Sequence, residues 1–172
     1  MKFLYLMFIF FNISVYAISL DFDTFKADFI QQINDQNNKI VKYKGVVYAK
    51  KPSQAMWVYK KPINKTVYID NTSVTTIEPD LEQVIIRKIH DDFNIFALLK
   101  QAKKIDNNHY RTKYKDVVFD IVYENANIKE ITYKDDFDNL VSIKFSNQQK
   151  NIKIDDVVFQ PDLPDDYDLI IE

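Results

Sequence analysis

Cysteine is absent from the 172 residues, which rules out both a disulfide framework and thiolate metal ligands; an exported domain of this sequence must stand on its packed core alone. It also removes the lipidated N-terminal cysteine that would anchor the chain to a membrane. Glycine occurs once, at Gly45, so neither a Gly-rich phosphate loop nor a G-x-S-x-G nucleophile elbow can be built. Asn and Asp, the next residues to tolerate left-handed dihedrals, are abundant and are expected to serve in the turns instead. A basic surplus is missing as well: 23 Lys and Arg face 25 Asp and Glu for a net charge of −2. Both signs are spread along the chain, unlike the concentrated basic face of a nucleic-acid binder. Histidine is limited to His90 and His109, neither in a metal-ligand spacing, so no metal and no cofactor is expected. The acidic pairs Asp135-Asp136, Asp155-Asp156 and Asp165-Asp166 sit beside turn residues. They read as solvated loop charges rather than calcium ligands or glycosidase carboxylates. Lys60, Lys61 and Lys65 read as a solvated loop, and with no nucleophile–base pair in view the chain is not expected to be an enzyme.

What is present is apolar and aromatic. Hydrophobic residues make up 47% and aromatics 15%, ample for one core, and the length fits one domain. Lys2 followed by the apolar run 3–11 and then Val15-Tyr16-Ala17 has the form of a cleaved signal peptide over residues 1–17. The run is too short to span a bilayer, which takes about 20 residues. The mature domain is then 18–172, exported and soluble.

Most of that domain reads with period two. Phe25, Ala27, Phe29, Gln31 and Ile33 alternate with polar neighbours, Ile30 alone breaking the pattern, although Phe22, Phe25 and Phe29 also fit a helix. Val41 to Ala49 is a strand that ends before Pro52, and Ala55 to Tyr59 is one that ends before Pro62. Thr66 to Asp70 and Ser73 to Ile77 flank a hairpin turn at Asn71-Thr72. Further strands are expected at 84–89, 110–114, 117–123, 128–134 and 140–145, separated by turn chemistry at 106–108, 125–127 and 135–139. Strands at this density predict an antiparallel sandwich or barrel. One helix of about three turns is expected over Phe93 to Lys103. Asp91 or Asp92 would cap it, and Lys100, Lys103 and Lys104 would complement its dipole.

Several of these residues together resemble the LolA family of outer-membrane lipoprotein carriers. Phe25-Lys26-Ala27-Asp28-Phe29-Ile30-Gln31 is similar to the family's F-x-A-x-F-x-Q opening strand. Gly45, Lys50-Lys51-Pro52, Trp57 and Pro62 follow the spacing of its G…K-R-P…W…P stretch. Asp70-Asn71 stands at its Asp-Gly turn, and Glu78 to Val84 resembles its Pro-then-Gln-strand segment. The tail, Phe159-Gln160-Pro161 to Pro164 and Tyr167-Asp168, resembles the closing F-x-P…P pattern more loosely.

The resemblance implies a mainly β fold with short helices, a single-domain open antiparallel β-barrel under a helical lid. It resolves Phe25 to Ile33 as a strand. It implies a periplasmic chaperone, a monomer, that takes acylated lipoproteins from an inner-membrane ABC transporter to an outer-membrane acceptor. A sensor or regulatory lipoprotein-binding module on the same fold is the alternative. Burying acyl chains is worth about 0.8 kcal/mol per methylene, so a carrier needs a dry concave surface and a lid whose opening lets the load go without ATP. Cavity candidates are Phe25, Phe29, Ala55, Trp57, Tyr59, Val67 and Ile69; lid candidates are Phe93, Ile95, Phe96, Leu98 and Leu99. Each is individually compatible with ordinary core. The family's basic residue before Pro is usually Arg and holds the lid shut; here it is Lys51, a latch without the planar fork. Ala55 replaces a bulky aromatic, leaving more room. The family's N-terminal helix is nearly absent, leaving the lid mainly to 93–103.

Overall fold

The computed structural model describes residues 21–89 and 94–172. The expected signal peptide, the capping candidates Asp91 and Asp92, His90 and the lid candidate Phe93 lie outside the described residues.

Twelve strands form one sheet: β1 (Thr24–Asn34), β2 (Ile40–Lys50), β3 (Gln54–Lys61), β4 (Lys65–Ile69), β5 (Ser73–Glu78), β6 (Gln83–Lys88), β7 (Lys103–Lys104), β8 (His109–Tyr114), β9 (Val117–Glu124), β10 (Asn127–Lys134), β11 (Leu140–Lys150) and β12 (Asp168–Ile171). One helix, α1 (Ile95–Lys100), separates β6 from β7. The spatial order is β12-β6-β5-β4-β3-β2-β1-β11-β10-β9-β8-β7, so the sheet is open, with β12 and β7 at its edges. The alternation seen in the sequence sets the two faces. Phe25, Ala27 and Phe29 point to one side opposite Ala49, Val47 and Gly45 of β2, and all of these are buried. Ile30, on the other side, is 43% exposed.

Register sorts the turns to two ends. The connections at 35–39, 62–64, 79–82, 115–116 and 135–139 lie at one end. Those at 51–53, 70–72 and 125–126 lie at the other, where the side chain that caps α1 also donates to Pro52. The first is the hairpin end of the sheet and the second its lid end.

Turn chemistry replaces glycine as expected. Asn38, Asn125, Asp138, Asn147 and Asn151 all have positive φ, joined by Glu82, Lys115 and Ala126. Asp70 accepts the N–H groups of Thr72 and Ser73 at 2.6 and 2.8 Å; Asp35, Asp106 and Asp135 hold their own turns in the same way. The sole glycine is where the structure demands one. A Cβ on Gly45 would stand 2.0 Å from the Val58 carbonyl and 2.7 Å from the Phe29 ring. The aromatic ring covers the glycine, so the two residues act as one packing unit.

Four expectations are corrected. The helix is six residues, Ile95–Lys100, not three turns to Lys103. Its cap is Asn94, whose side-chain oxygen accepts from the N–H groups of Phe96 and Ala97; that capping places the helix start beyond Asp91 and Asp92. Lys103 and Lys104 pair with Arg111 and Tyr110 as a strand instead of completing the helix dipole. The sheet is also not wholly antiparallel, because β12 runs parallel to β6. A parallel pair needs a long crossover, and residues 151–167 supply it over the convex face.

That crossover forms a second, smaller core. Lys50 of β2 donates to the Ile154 carbonyl at 3.2 Å and pairs with Asp156 at 2.6 Å. The turn at Asp156–Phe159 contacts β3, and Asp162 is near enough to Tyr68 of β4 to help raise its phenol above the usual range, after burial. Thr75, Ile77 and Val84 of β5 and β6 are buried, as are Ile154 and Phe159 of the crossover.

Candidate functional site

The concave face encloses a cavity of about 640 Å³. One wall comes from β1–β4, where Ala49, Ala55 and Ile69 stand in a row across neighbouring strands, as do Val47, Trp57 and Val67. The opposing wall comes from β8–β11, with Val117, Phe119, Ile128, Ile131, Tyr133 and Phe145. Phe22, Ile95, Phe96 and Leu99 close the lid end. Trp57 and Phe145 reach toward each other from opposite walls, 6.3 Å apart by ring centroids.

Of the expected cavity residues, Phe25, Ala55, Trp57, Tyr59, Val67 and Ile69 line the space. Phe29 stands behind them, 1% exposed, its ring edge-on to Trp57 at 5.0 Å and to Tyr59 at 5.1 Å. Ala55 faces Ala49 across the β2–β3 pair, and two small side chains side by side leave the room that an aromatic would fill. Of the lid residues, Ile95, Phe96 and Leu99 line the cavity, whereas Leu98 is buried outside it. Sequence reasoning missed the whole β8–β11 wall, although its period-two alternation was in view. It also missed Phe22, whose ring stacks on Phe25 at 5.2 Å and meets Phe96 edge-on at 5.7 Å.

Lys51 sits at the junction of these parts. Its ammonium donates to Asp21 at 2.5 Å and Asp23 at 2.9 Å, and its backbone N–H donates to the Asp23 carbonyl. These contacts hold the segment that carries Phe22. The hydrogen bond from Lys51 keeps the Asp21 carboxyl below its ordinary range, with a smaller contribution from the Lys100 ammonium of α1. The helix itself is tied next door, where the Asn94 amide donates to the Pro52 carbonyl at 2.6 Å.

Polarity along the cavity is uneven. At the lid end Ser53 alone is polar; at the hairpin end are Gln31, Lys115, Asp116 and Asp136. There the Tyr59 hydroxyl donates to Gln31 Oε1 at 3.0 Å, and Lys65 Nζ lies 4.9 Å from the centre of the Tyr59 ring. Burial, then the neighbouring Tyr133 and Tyr43, pushes the Tyr59 phenol far up, and burial followed by Asp135 raises Tyr133. Both remain neutral hydroxyls. Among the described residues no cluster of His, Asp and Glu could hold a metal.

Comparison with known proteins agrees with this geometry. The family model described as "Outer membrane lipoprotein carrier protein LolA" matches residues 21–127. A Campylobacter jejuni outer-membrane lipoprotein carrier protein is 36% identical over 170 residues, 99% of each chain. Its counterpart in a Helicobacter pylori strain is 35% identical over 136 residues, covering 79% of this chain and 73% of the relative. Among solved structures, a LolA superfamily protein from Nitrosomonas europaea shares the fold with a TM-score of 0.51 at 12% identity, over 84% of this chain and 93% of that one.

Proposed function

The chain belongs to the LolA family of outer membrane lipoprotein carrier proteins, and on that premise we propose that it carries lipoproteins across the periplasm with their acyl chains in the concave cavity. The observation that carries this is the cavity itself: about 640 Å³, walled by aliphatic and aromatic side chains from both halves of the sheet and closed at one end by α1 and Phe22. Loading a lipoprotein that bears several chains displaces α1 and the Phe22 segment, which close one end. Opening exchanges protein–protein apolar contacts for protein–lipid ones, so net affinity is a small difference between two burials. That balance permits hand-over without an energy source in the carrier.

Lys51 acts on the lid through Asp21 and Asp23, holding the Phe22 segment against Phe96. Asn94 ties α1 itself. Cargo arrives from an inner-membrane lipoprotein-releasing ABC transporter and leaves to an outer-membrane acceptor, with the protein working as a monomer and without catalysis.

The test is release of a triacylated lipoprotein from transporter-containing proteoliposomes on adding ATP and the protein. Soluble one-to-one complexes are expected, and they are lost when Trp57→Asp or Leu99→Asp replaces a lining side chain. No release by a folded protein beside its cognate transporter sinks the carrier reading.

A further inference from the structure

The polar end of the cavity has hydrogen-bond donors left over. The Tyr59 hydroxyl spends its proton on Gln31 Oε1. Among the described residues the Gln31 amide N–H groups and the Tyr133 hydroxyl meet no protein acceptor, though both side chains line the cavity. The carboxylates at that end, Asp116 and Asp136, are exposed at the rim, and Asp116 has Lys113 at 3.5 Å. Further in, the polar groups are neutral donors at the edge of an apolar space. A ligand that supplies only acceptors complements such donors.

We infer that Gln31, Tyr59 and Tyr133 form a subsite for the carbonyl oxygens of an acyl-glycerol ester anchor, which orients cargo with its chains toward α1 and its polypeptide leaving at the hairpin end. This rests on the carrier reading and adds a direction to it. Ester carbonyls accept and cannot donate, carry no charge to desolvate, and stand where the acyl chains meet the glyceryl group. They match a site with neutral donors at the base of a polar rim. At the opposite end Ser53 spends its hydroxyl proton on Asn71 Oδ1, and Phe22, Phe96 and Leu99 offer no donor, so a reversed anchor leaves its carbonyls unpaired.

The experiment displaces an environment-sensitive apolar dye from the full protein with a synthetic diacylglyceryl-cysteinyl peptide and with its dialkyl-ether analogue, which lacks the carbonyls. The wild type is expected to prefer the ester peptide by about tenfold, the scale of two modest hydrogen bonds. The Gln31→Leu/Tyr133→Phe double variant loses that preference, read as the ratio of its own affinities for the two peptides. Equal affinities in the wild type overturn the subsite, as does a preference that survives in the variant. Palmitate competing more tightly than the ester peptide, with the same dependence on Gln31 and Tyr133, assigns the site to a free carboxylate and overturns the ester anchor. If neither peptide displaces the dye from folded wild type, the carrier reading fails instead. A photo-crosslinker on the second residue of the peptide provides a readout independent of affinity: it should label 115–116 or 135–139, and labelling of α1 overturns the orientation.

Discussion

On the convex side of the sheet Thr75, Ile77 and Val84 of β5 and β6 are buried, as are Ile154 and Phe159 of the crossover, whose turn packs on β3. On the concave side of the adjoining strands, Trp57, Val67 and Ile69 have the same apolar chemistry, yet each is only partly buried and looks into open space. The difference lies in what stands opposite. The convex patch is closed by covalently attached chain, which costs ordering entropy once and packs to interior density. The concave patch is closed by a six-residue helix and one phenylalanine, too little to fill it. One face is therefore spent on stability and the other is held available for a ligand.

Substitutions can break or sharpen this contrast. The largest effect is expected where the concave face is not adaptable. Gly45→Ala forces a Cβ to 2.0 Å from the Val58 carbonyl, and it should cost about 4 kcal/mol in urea unfolding. A loss below about 1 kcal/mol would show that Phe29 and β3 yield as readily as the cavity. Next, Phe159→Ala should lower stability by about 3 kcal/mol while leaving cargo binding unchanged, since Phe159 is buried away from the cavity lining. Its concave counterpart, Trp57→Ala, should cost about 1.5 kcal/mol or less, because space already adjoins the ring, yet weaken lipopeptide binding at least about tenfold. If both variants behave alike, the division of labour between the faces is wrong.

Smaller effects concern the closures. Asn94→Ala removes a cap and the tie to Pro52, worth about 1 kcal/mol. Amide exchange at residues 96–99 should accelerate about fivefold with little change in global stability. Acid should act on the turns that stand in for glycine. Hydrogen bonds from Thr72 and Ser73 outweigh the opposing effect of partial burial and hold Asp70 below the ordinary carboxylate range; Asp135 is lowered in the same way by Asn139 and Phe137. A carboxyl depressed in the folded state contributes stability that is complete above the unfolded value, about 3.9. That contribution is lost as pH falls through the folded value. The urea midpoint should therefore fall below about pH 4, and in Asp70→Asn the drop should be smaller.

The alternation of Val41 to Ala49, the breaks at Pro52 and Pro62 and the Asn and Asp clusters placed most strands within a residue or two of where they lie, whereas Phe25 to Ile33, which also fits a helix, was resolved as a strand by the family resemblance. These signals are local: side chains on successive residues of a strand face opposite ways, and left-handed turns select the same few residues in any fold. The β1–β4 half of the cavity was legible for the same reason, helped by the family resemblance around Trp57. Elements defined by a distant partner were not. β7 and β12 are short and exist only through pairing with β8 and β6. The end of α1 depends on β7 taking over the chain at Lys103. Period-two alternation says that Phe29 and Trp57 share a face; only packing decides that Phe29 covers Gly45 while Trp57 lines the void. By itself the sequence determined a strand-rich architecture without disulfides, thiolate metal sites or glycine turns, and which face of each strand is apolar. The tertiary structure alone decided which apolar face was covered by its own chain and which was left as a cavity, because closure depends on where residues far apart in the sequence come to rest.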